Sequence, residues 1–368
     1  MQAQGPTPEI RGLNFSRDRI YAARRAGSML LLTLYVGRAC NLRCPSCFIE
    51  DDGRPELPPA VRREVLRQAA ALGALSVRVS GAGEPLLQPD LLPLAGEARN
   101  LGLDFVLYTN GTVIGEDSLA RRLHGRDGPS LARELFNLGV SVVLKMNSRN
   151  AAVQDRLAGV SGAAPLIWRG YERLLEAGFA APRLAVETII SRDNLEELPE
   201  LYRSLRRDGV TPYFETVLRR GRARGGAGLA PEPERVREVF YELLRIDEAE
   251  FGRTWFPAPS FVGFFCTELL YGVMVDAGGT VYPCAGIGAA VGSVAGGGTL
   301  EEVWRSSPLL RSLRAVEEHI GGRCRDCRHR GDPCFYGCRA EPFIATDDPF
   351  GDYEECWHGA PRSGGDRE

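Results

Sequence analysis

Six apolar segments, each followed by a segment with helical periodicity, constrain the fold of the first two thirds of this chain. The candidate strands are residues 30–36, 76–80, 104–109, 141–146, 183–189 and 212–218. Between them, apolar residues recur three and four positions apart, which indicates amphipathic helices. Strands that alternate with helices predict a parallel sheet with right-handed crossovers. Six units are too few to close an eight-stranded barrel. We therefore expect an α/β fold with a partial (β/α)6 TIM-like barrel, whose chemistry gathers at the carboxyl ends of its strands.

The chain after residue 218 has a different character. Residues 219–228 are rich in arginine and glycine, residues 232–251 have the pattern of one long helix, and residues 273–275 and 280–282 flank a glycine-rich turn that predicts a hairpin. Seven of the ten cysteines lie between positions 266 and 356. The predicted organisation is an N-terminal extension (1–28), the barrel (29–225), a linker helix (226–258), a small cysteine-rich α+β domain (259–358) and a disordered tail (359–368).

Charge and targeting features place the chain in a broad class. The 368 residues include 45 basic and 48 acidic side chains, a net charge of −3, which gives no reason to expect nucleic acid or a membrane surface as partner. The longest apolar run, residues 29–37, is too short to cross a bilayer, and no secretory signal is visible. We therefore expect a cytoplasmic protein. In that reducing compartment, ten cysteines indicate metal binding rather than disulfides.

Three cysteines follow the first candidate strand on one short loop. They are Cys40, Cys44 and Cys47, within the sequence GRACNLRCPSCF. Three thiolates can hold three corners of an iron–sulfur cube and leave one iron open, and an open metal position is typical of a catalytic site. A zinc site completed by a remote ligand is the alternative.

The spacing Cys-x3-Cys-x2-Cys after a first strand resembles the radical S-adenosylmethionine (SAM) superfamily. The resemblance implies that the open iron binds SAM, and that reduction of the cluster yields a 5′-deoxyadenosyl radical, which abstracts hydrogen from a substrate. The segment Gly81-Ala82-Gly83-Glu84-Pro85, at the end of the second strand, resembles the family's GGEP segment. There Gly81 and Gly83 let the backbone approach the SAM ammonium group, and Glu84 neutralises it. Many family members have an aromatic residue before the third cysteine, whereas this chain has Ser46.

Further SAM contacts are predicted at the ends of later strands. Asn147 and Ser148 close the fourth strand, where residues of this family commonly touch the ribose. Arg156 could pair with the SAM carboxylate, and Leu218, at the end of the sixth strand, could pack on the adenine. Each of these residues could equally belong to a solvated turn.

The seven later cysteines resemble the SPASM extension of radical SAM enzymes, which holds two auxiliary [4Fe–4S] clusters. The resemblance implies that an outer cluster is bound by Cys324, Cys327, Cys334 and Cys356, and an inner one by Cys266, Cys284 and Cys338. The usual fourth cysteine of the inner cluster is absent near Ser260 and Phe261, so that cluster could be open, take an oxygen ligand or bind substrate. A zinc ribbon on residues 324–338 is the alternative, but it leaves three of these cysteines unexplained.

Three clusters account for all ten cysteines. No thiol is left to return hydrogen to a substrate radical, so an epimerase would need a different donor. An auxiliary cluster can accept the second electron from such a radical, and we therefore expect a net two-electron oxidation. We expect a flavodoxin- or ferredoxin-type electron donor, with Glu215 on the sixth strand as the candidate base.

SPASM enzymes modify ribosomal peptides, protein side chains and sugar or aminocyclitol alcohols. Peptide modifiers often carry a leader-binding domain, and the residues before the first strand are too few for one. The main prediction is therefore oxidation of an alcohol to a ketone in a small sugar or aminocyclitol, in antibiotic-type metabolism. The alternatives are oxidation or crosslinking of a ribosomal peptide and, in another class, a non-catalytic iron–sulfur electron carrier or zinc-binding protein.

Overall fold

The computed structural model describes residues 10–50, 53–225 and 228–358 of the chain. Nine strands form one sheet in the order β6-β5-β4-β3-β2-β1-β7-β8-β9. These strands are β1 (Leu31–Tyr35), β2 (Ser76–Ser80), β3 (Asp104–Thr109), β4 (Ser141–Lys145), β5 (Leu184–Ile189), β6 (Thr211–Glu215), β7 (Gly272–Val275), β8 (Thr280–Tyr282) and β9 (Gly292–Ser293).

The helices of the described residues lie mainly in the connections between the strands. They are α1 (Arg17–Ala26), α2 (Pro59–Ala71), α3 (Leu91–Asn100), α4 (Thr112–Gly115), α5 (Asp117–His124), α6 (Gly128–Asn137), α7 (Ala151–Ala158), α8 (Ala163–Glu176), α9 (Leu198–Arg207), α10 (Pro233–Phe251), α11 (Leu300–Ser306), α12 (Pro308–Arg314), α13 (Val316–His319), α14 (Gly322–Arg325) and α15 (Ala340–Thr346). None within the described ranges is both long and apolar enough to cross a bilayer.

The first six strands confirm the expected α/β architecture. Strands β1 to β6 pair in parallel, each with the next, and the sheet stays open, so the fold is a partial (β/α)6 barrel. The predicted strand bounds are correct to about one residue, except at the end of β6. That strand ends at Glu215, so the expectation that Leu218 ends it was wrong. Beyond Glu215, the chain bonds to the segment around Ser260 instead of to β5.

The cysteine-rich region extends the same sheet. Strand β7 pairs in parallel with β1, from Leu31 opposite Gly272 onward, and β8 and β9 follow in antiparallel order. The expected β7–β8 hairpin is present, and its turn is fixed by the Asp276 carboxylate, which accepts N–H bonds from Gly278 (2.9 Å) and Thr280 (2.8 Å). The pairing covers the β1 edge of the barrel.

The boundaries between the predicted units stay predictions. The ranges 29–225 and 259–358 share one continuous sheet. Of the other predicted segments, the tail at 359–368, residues 1–9 of the N-terminal extension, and residues 226 and 227 of the arginine-rich segment lie outside the described residues.

The N-terminal segment closes the amino-terminal end of the barrel. Ile10 and Leu13 are buried against Val106, Val143 and Tyr213 of the inner strand faces. The Arg11 N–H also donates to the Pro182 carbonyl oxygen (2.7 Å). The barrel interior is therefore sealed at one end and available at the other, where the strands have their carboxyl ends.

We expect Leu13→Ala to lower the free energy of unfolding by about 2–4 kcal/mol, because it leaves a gap in a packed apolar cluster. The measurement is chemical denaturation of the anaerobic protein. Tyr241→Ala is the control, since that ring is 39% exposed and its loss should have little effect. Equal destabilisation by the two substitutions would show that Leu13 does not contribute to closing the amino-terminal end of the barrel.

Candidate active site

A cavity of about 570 Å³ occupies the barrel interior. Its wall includes the thiols of Cys40, Cys44 and Cys47 and also those of the inner group, Cys266, Cys284 and Cys338. The fold thus brings six cysteines from four chain segments to one cavity. A molecule bound there would lie between the two groups.

The loop that carries Cys40, Cys44 and Cys47 follows β1 directly. Burial is the main cause that raises the pKa of the Cys44 thiol to about 11; Lys145 opposes this rise, and the neighbouring sulfurs of Cys40 and Cys47 contribute to it. Burial likewise raises the pKa of Cys40. Thiols must lose their protons to bind iron, so cluster assembly at this loop releases protons.

Three backbone hydrogen bonds from separate elements hold this loop. Glu84 N–H donates to the Ala39 carbonyl (2.8 Å), and the loop's own Arg43 N–H donates to Ala158 at the end of α7 (2.9 Å). Arg222 N–H, beyond β6, donates to the Cys47 carbonyl (2.9 Å). The position of the three thiols therefore depends on elements that are far apart in sequence.

Gly81 and Gly83 are needed for backbone packing within the protein. A Cβ on Gly83 would lie 2.1 Å from the Ala39 carbonyl oxygen, and one on Gly81 would lie 1.6 Å from the Gly83 carbonyl oxygen. Both glycines were predicted to allow the close approach of SAM. The structure shows a second requirement for them, which does not involve SAM. Without these glycines, the loop after the second strand could not pack against the cysteine loop.

The Glu84 carboxylate is buried and already hydrogen-bonded. It accepts bonds from Thr109 Oγ1 (2.6 Å), Asn110 N–H (2.7 Å) and Leu86 N–H (3.0 Å). Burial raises the pKa of Glu84, and these hydrogen bonds act against that rise. Glu84 thus joins β2 to the end of β3 and faces the cavity, and its contact with SAM stays a prediction.

Three other predicted SAM ligands do not line the cavity. The Asn147 side chain accepts a bond from Ile189 N–H (2.9 Å), and Ser148 Oγ donates to Glu197 (2.5 Å). Arg156 pairs with Asp193 at the surface (3.0 Å). These contacts give each side chain a structural role, because they join the ends of β4 and β5 and hold α7.

Leu218, the fourth of these predicted ligands, does line the cavity. It packs with Ile287, Ala340 and the sulfur-bearing residues Cys284 and Cys338. Its surroundings are therefore those of the inner cysteine group.

Sequence reasoning missed two ion pairs inside the barrel. Arg78 lies 2.6 Å from Glu268, and Lys145 lies 2.8 Å from Glu187. The β4–β5 register places Lys145 opposite Glu187. The signal was one charged residue within each of three strands, namely Arg78 in β2, Lys145 in β4 and Glu187 in β5. Because both faces of a parallel barrel sheet are buried, the sequence did not reveal which face those charges occupy.

Glu215, the predicted base, lies in this cavity beside Glu187. Burial and the neighbouring Glu187 carboxylate raise the pKa of Glu215 well above its ordinary value, and Lys145 offsets part of that rise. The environment thus favours the protonated form of Glu215, whereas a base must be deprotonated. Its assignment as the base stays a prediction.

Aromatic rings form one wall of the cavity. The Tyr213 ring centroid lies 4.9 Å from that of Phe264, 5.8 Å from that of Phe261 and 6.4 Å from that of Tyr108. All four residues line the cavity. This aromatic wall suits an apolar or aromatic group on a bound molecule.

The seven later cysteines form the two predicted groups. Burial is the main cause that raises the pKa of Cys266 and of Cys284 to about 12. The sulfur of Cys284 contributes to the raised pKa of Cys266, and that of Cys338 contributes to the raised pKa of Cys284. The outer group, Cys324, Cys327, Cys334 and Cys356, lines a separate pocket together with His329 and His358. Burial raises the pKa of Cys334 to about 12, and Cys356 and Cys324 add to that rise.

Thiol donors in groups of three, three and four are the donor set that iron–sulfur clusters use. None of the ten cysteines, all of which lie within the described residues, forms a disulfide. Among the described residues, no three histidine, cysteine or acidic side chains converge on a single metal ion.

One arginine-rich segment, residues 219–224, contacts the neighbourhood of all three groups, and we call it the arginine strap. Arg222 Nε donates to the Cys44 carbonyl (3.0 Å), and Arg220 donates to the carbonyl beside Cys284 (3.0 Å). Arg219 pairs with Glu355, the residue before Cys356. These three arginines therefore bind groups of the protein itself.

We expect Gly83→Ala to lower the iron content at the first cysteine group and to abolish SAM cleavage, because the new methyl group displaces the Ala39 backbone. Iron per chain and 5′-deoxyadenosine formation are the measurements. Gly96→Ala is the matched control, since nothing lies within 4 Å of its Cβ position. Wild-type iron content in the Gly83→Ala protein would contradict this packing.

We expect Arg222→Ala to speed loss of the first cluster under chelator, because the Cys44 carbonyl loses its side-chain donor. Arg224→Ala is the control, since that arginine is 69% exposed and makes a surface ion pair of little energetic value. The decay of the cluster's absorbance reports the rate. Equal rates in the two variants would show that the strap does not hold the loop.

Comparison with known proteins agrees with this geometry. A family model described as the radical SAM superfamily matches residues 34–205, and the SPASM model, described as an iron–sulfur cluster-binding domain, matches residues 266–328. An AdoMet-dependent heme synthase of Methanosarcina barkeri is 26% identical, over 84% of this chain and 90% of that protein. The mycofactocin maturase MftC of Mycolicibacterium smegmatis is 27% identical, over 90% of this chain and 84% of that protein.

A third relative and a solved structure extend the comparison. The PqqA peptide cyclase of Gluconobacter oxydans is 27% identical, over 83% of this chain and 84% of that protein. Among solved structures, Streptococcus suis SuiB bound to its precursor peptide SuiA has a TM-score of 0.64 at 17% identity, and covers 92% of this chain and 79% of that one. That likeness shows the fold. The chain therefore contains a radical SAM domain at residues 34–205 and an iron–sulfur cluster-binding SPASM domain at residues 266–328, and it binds SAM and iron–sulfur clusters.

Proposed function

We propose that this radical SAM enzyme oxidises or crosslinks a peptide. The carrying observation is the 27% identity to a protein named a peptide cyclase, which spans both cysteine-bearing domains. The aromatic wall supports the same choice, because it offers a surface for an amino-acid side chain.

The sugar or aminocyclitol dehydrogenation predicted from the sequence has weaker support. A small polyol is held by several polar groups that converge on its hydroxyls. In this cavity Arg78, Lys145, Glu187 and Glu268 are engaged with one another. Modification of a peptide, which was predicted from the sequence as an alternative, therefore becomes the main proposal.

The protein's own residues position the substrate and handle its proton. When SAM is bound, the reduced cluster supplies a carbon-centred radical that takes hydrogen from the substrate. The barrel wall excludes water from the reacting carbon. The Glu187 carboxylate, which accepts a hydrogen bond from Lys145 (2.8 Å) and is hydrogen-bonded to Glu215, would accept a proton released by the oxidised substrate.

The electron donor and compartment complete the proposal. A flavodoxin- or ferredoxin-type protein would reduce the first cluster. The auxiliary clusters, bound by the seven later cysteines, would accept the electron that leaves the substrate. A reducing cytoplasm keeps all ten thiols available for iron.

The test supplies the reconstituted enzyme, SAM and a reductant with one candidate substrate at a time. The candidates are a synthetic copy of the short peptide encoded nearest to its gene, an aminocyclitol and a porphyrin precursor. We expect only the peptide to change mass, by loss of hydrogen, in proportion to 5′-deoxyadenosine. Turnover of the aminocyclitol or the porphyrin precursor instead would contradict the proposal. The Cys40→Ala variant is the control for radical chemistry.

Glu215 gives a pH-dependent prediction. Its folded-state pKa is raised, so its favourable contribution to stability is complete below the unfolded-state pKa, about 4.3, and is lost as the pH rises through the folded-state value. Glu215→Gln cannot ionise, so its melting temperature relative to wild type should increase with pH. The control is Glu196→Gln at an exposed position. A constant difference for Glu215→Gln across the pH range would contradict the raised pKa.

A further inference from the structure

The inner cysteine group has three thiols for a cluster that would contain four irons. Ser260 stands near the position where the SPASM resemblance places a fourth cysteine. Its hydroxyl is hydrogen-bonded to the Tyr353 hydroxyl (2.9 Å), and both residues are buried. Each of these hydroxyls therefore already has a partner.

Glu341 lies in the same corner of the cavity. It is in the first turn of α15, three residues after Cys338, and it lines the cavity together with Cys338 and Ser260. The Glu341 backbone N–H donates a hydrogen bond to the Cys338 sulfur, so residue 341 adjoins that thiol, and, besides burial, the charge of Glu341 contributes to the raised pKa of Cys338 and of Tyr353.

Within the described residues, no group donates a hydrogen bond to the Glu341 carboxylate. The nearby cation is Arg219, which pairs with Glu355. By contrast, Glu268 on the same wall accepts bonds from Thr33 and Arg78. A largely buried carboxylate without a partner is costly unless it binds a metal or another charge.

We propose that the Glu341 carboxylate is the fourth protein ligand of the inner cluster. It would bind the iron that Cys266, Cys284 and Cys338 leave unligated. The chain would thus replace the missing cysteine with an oxygen ligand from the other side of the same site, after Cys338 rather than before Cys266. The proposal depends on the iron–sulfur assignment and is independent of the substrate.

The experiment uses the full chain with Cys40, Cys44 and Cys47 changed to Ala, so that electron paramagnetic resonance reports only the auxiliary clusters. Cyanide, which binds an open iron, is the probe. With Glu341 present, we expect cyanide to change the inner-cluster signal only at high concentration. With Glu341→Gln, we expect half-saturation at a cyanide concentration at least about tenfold lower. Glu355→Gln is the matched control. We expect it to respond to cyanide like the protein that carries only the three Cys→Ala substitutions.

Two results would overturn the proposal. One is a cyanide response in the Glu341 protein equal to that of Glu341→Gln, since the iron would then already be open. The second result comes from Glu341→Cys, which supplies a thiolate at the same position. This variant can be measured even if Glu341→Gln fails to fold. We expect that variant to hold its auxiliary iron with a changed signal and a shifted reduction potential. A signal and potential identical to those of the Glu341 protein would show that residue 341 does not bind iron.

Discussion

Close backbone packing around the first cysteine loop is the constraint on which the active site depends. The loop makes no ladder pairing of its own, and it is fixed by backbone bonds to the Gly83–Glu84 segment, the end of α7 and the arginine strap. Glycine at position 83 is the condition for one of these contacts, because any side chain would meet the Ala39 carbonyl. Three thiols can therefore hold a cluster in one place, although the elements that position them are separated by more than 100 residues.

Charged side chains line the interior of the barrel. In closed barrels, branched apolar side chains fill this space. Here two buried ion pairs, Arg78–Glu268 and Lys145–Glu187, line a cavity that apolar residues seal only at the amino-terminal end. Strand β7 joins β1, and this pairing brings the inner cysteine group to the same cavity. Substrate and both groups can thus share one space.

Local patterns predicted the elements better than the contacts between them. The six barrel strands and the β7–β8 hairpin follow from periodicity and turn residues, and the cysteine spacing indicated the two iron–sulfur domains. The pairing of β7 with β1 joins segments with no local signal for each other. Arg156 had the right chemistry for a carboxylate, but its nearest partner is Asp193 at the surface. Glu341 was missed because its significance arises only where α15 meets Ser260 and Tyr353.

The central claim is that the ten thiols hold three four-iron clusters. Mössbauer spectroscopy of anaerobically prepared protein enriched in ⁵⁷Fe, with the metal content measured in parallel, tests it most directly. The account predicts about twelve irons per chain, all in [4Fe–4S] clusters, and about eight after loss of the first cysteine loop's thiols. Stoichiometric zinc, or only about four irons per chain, would contradict it.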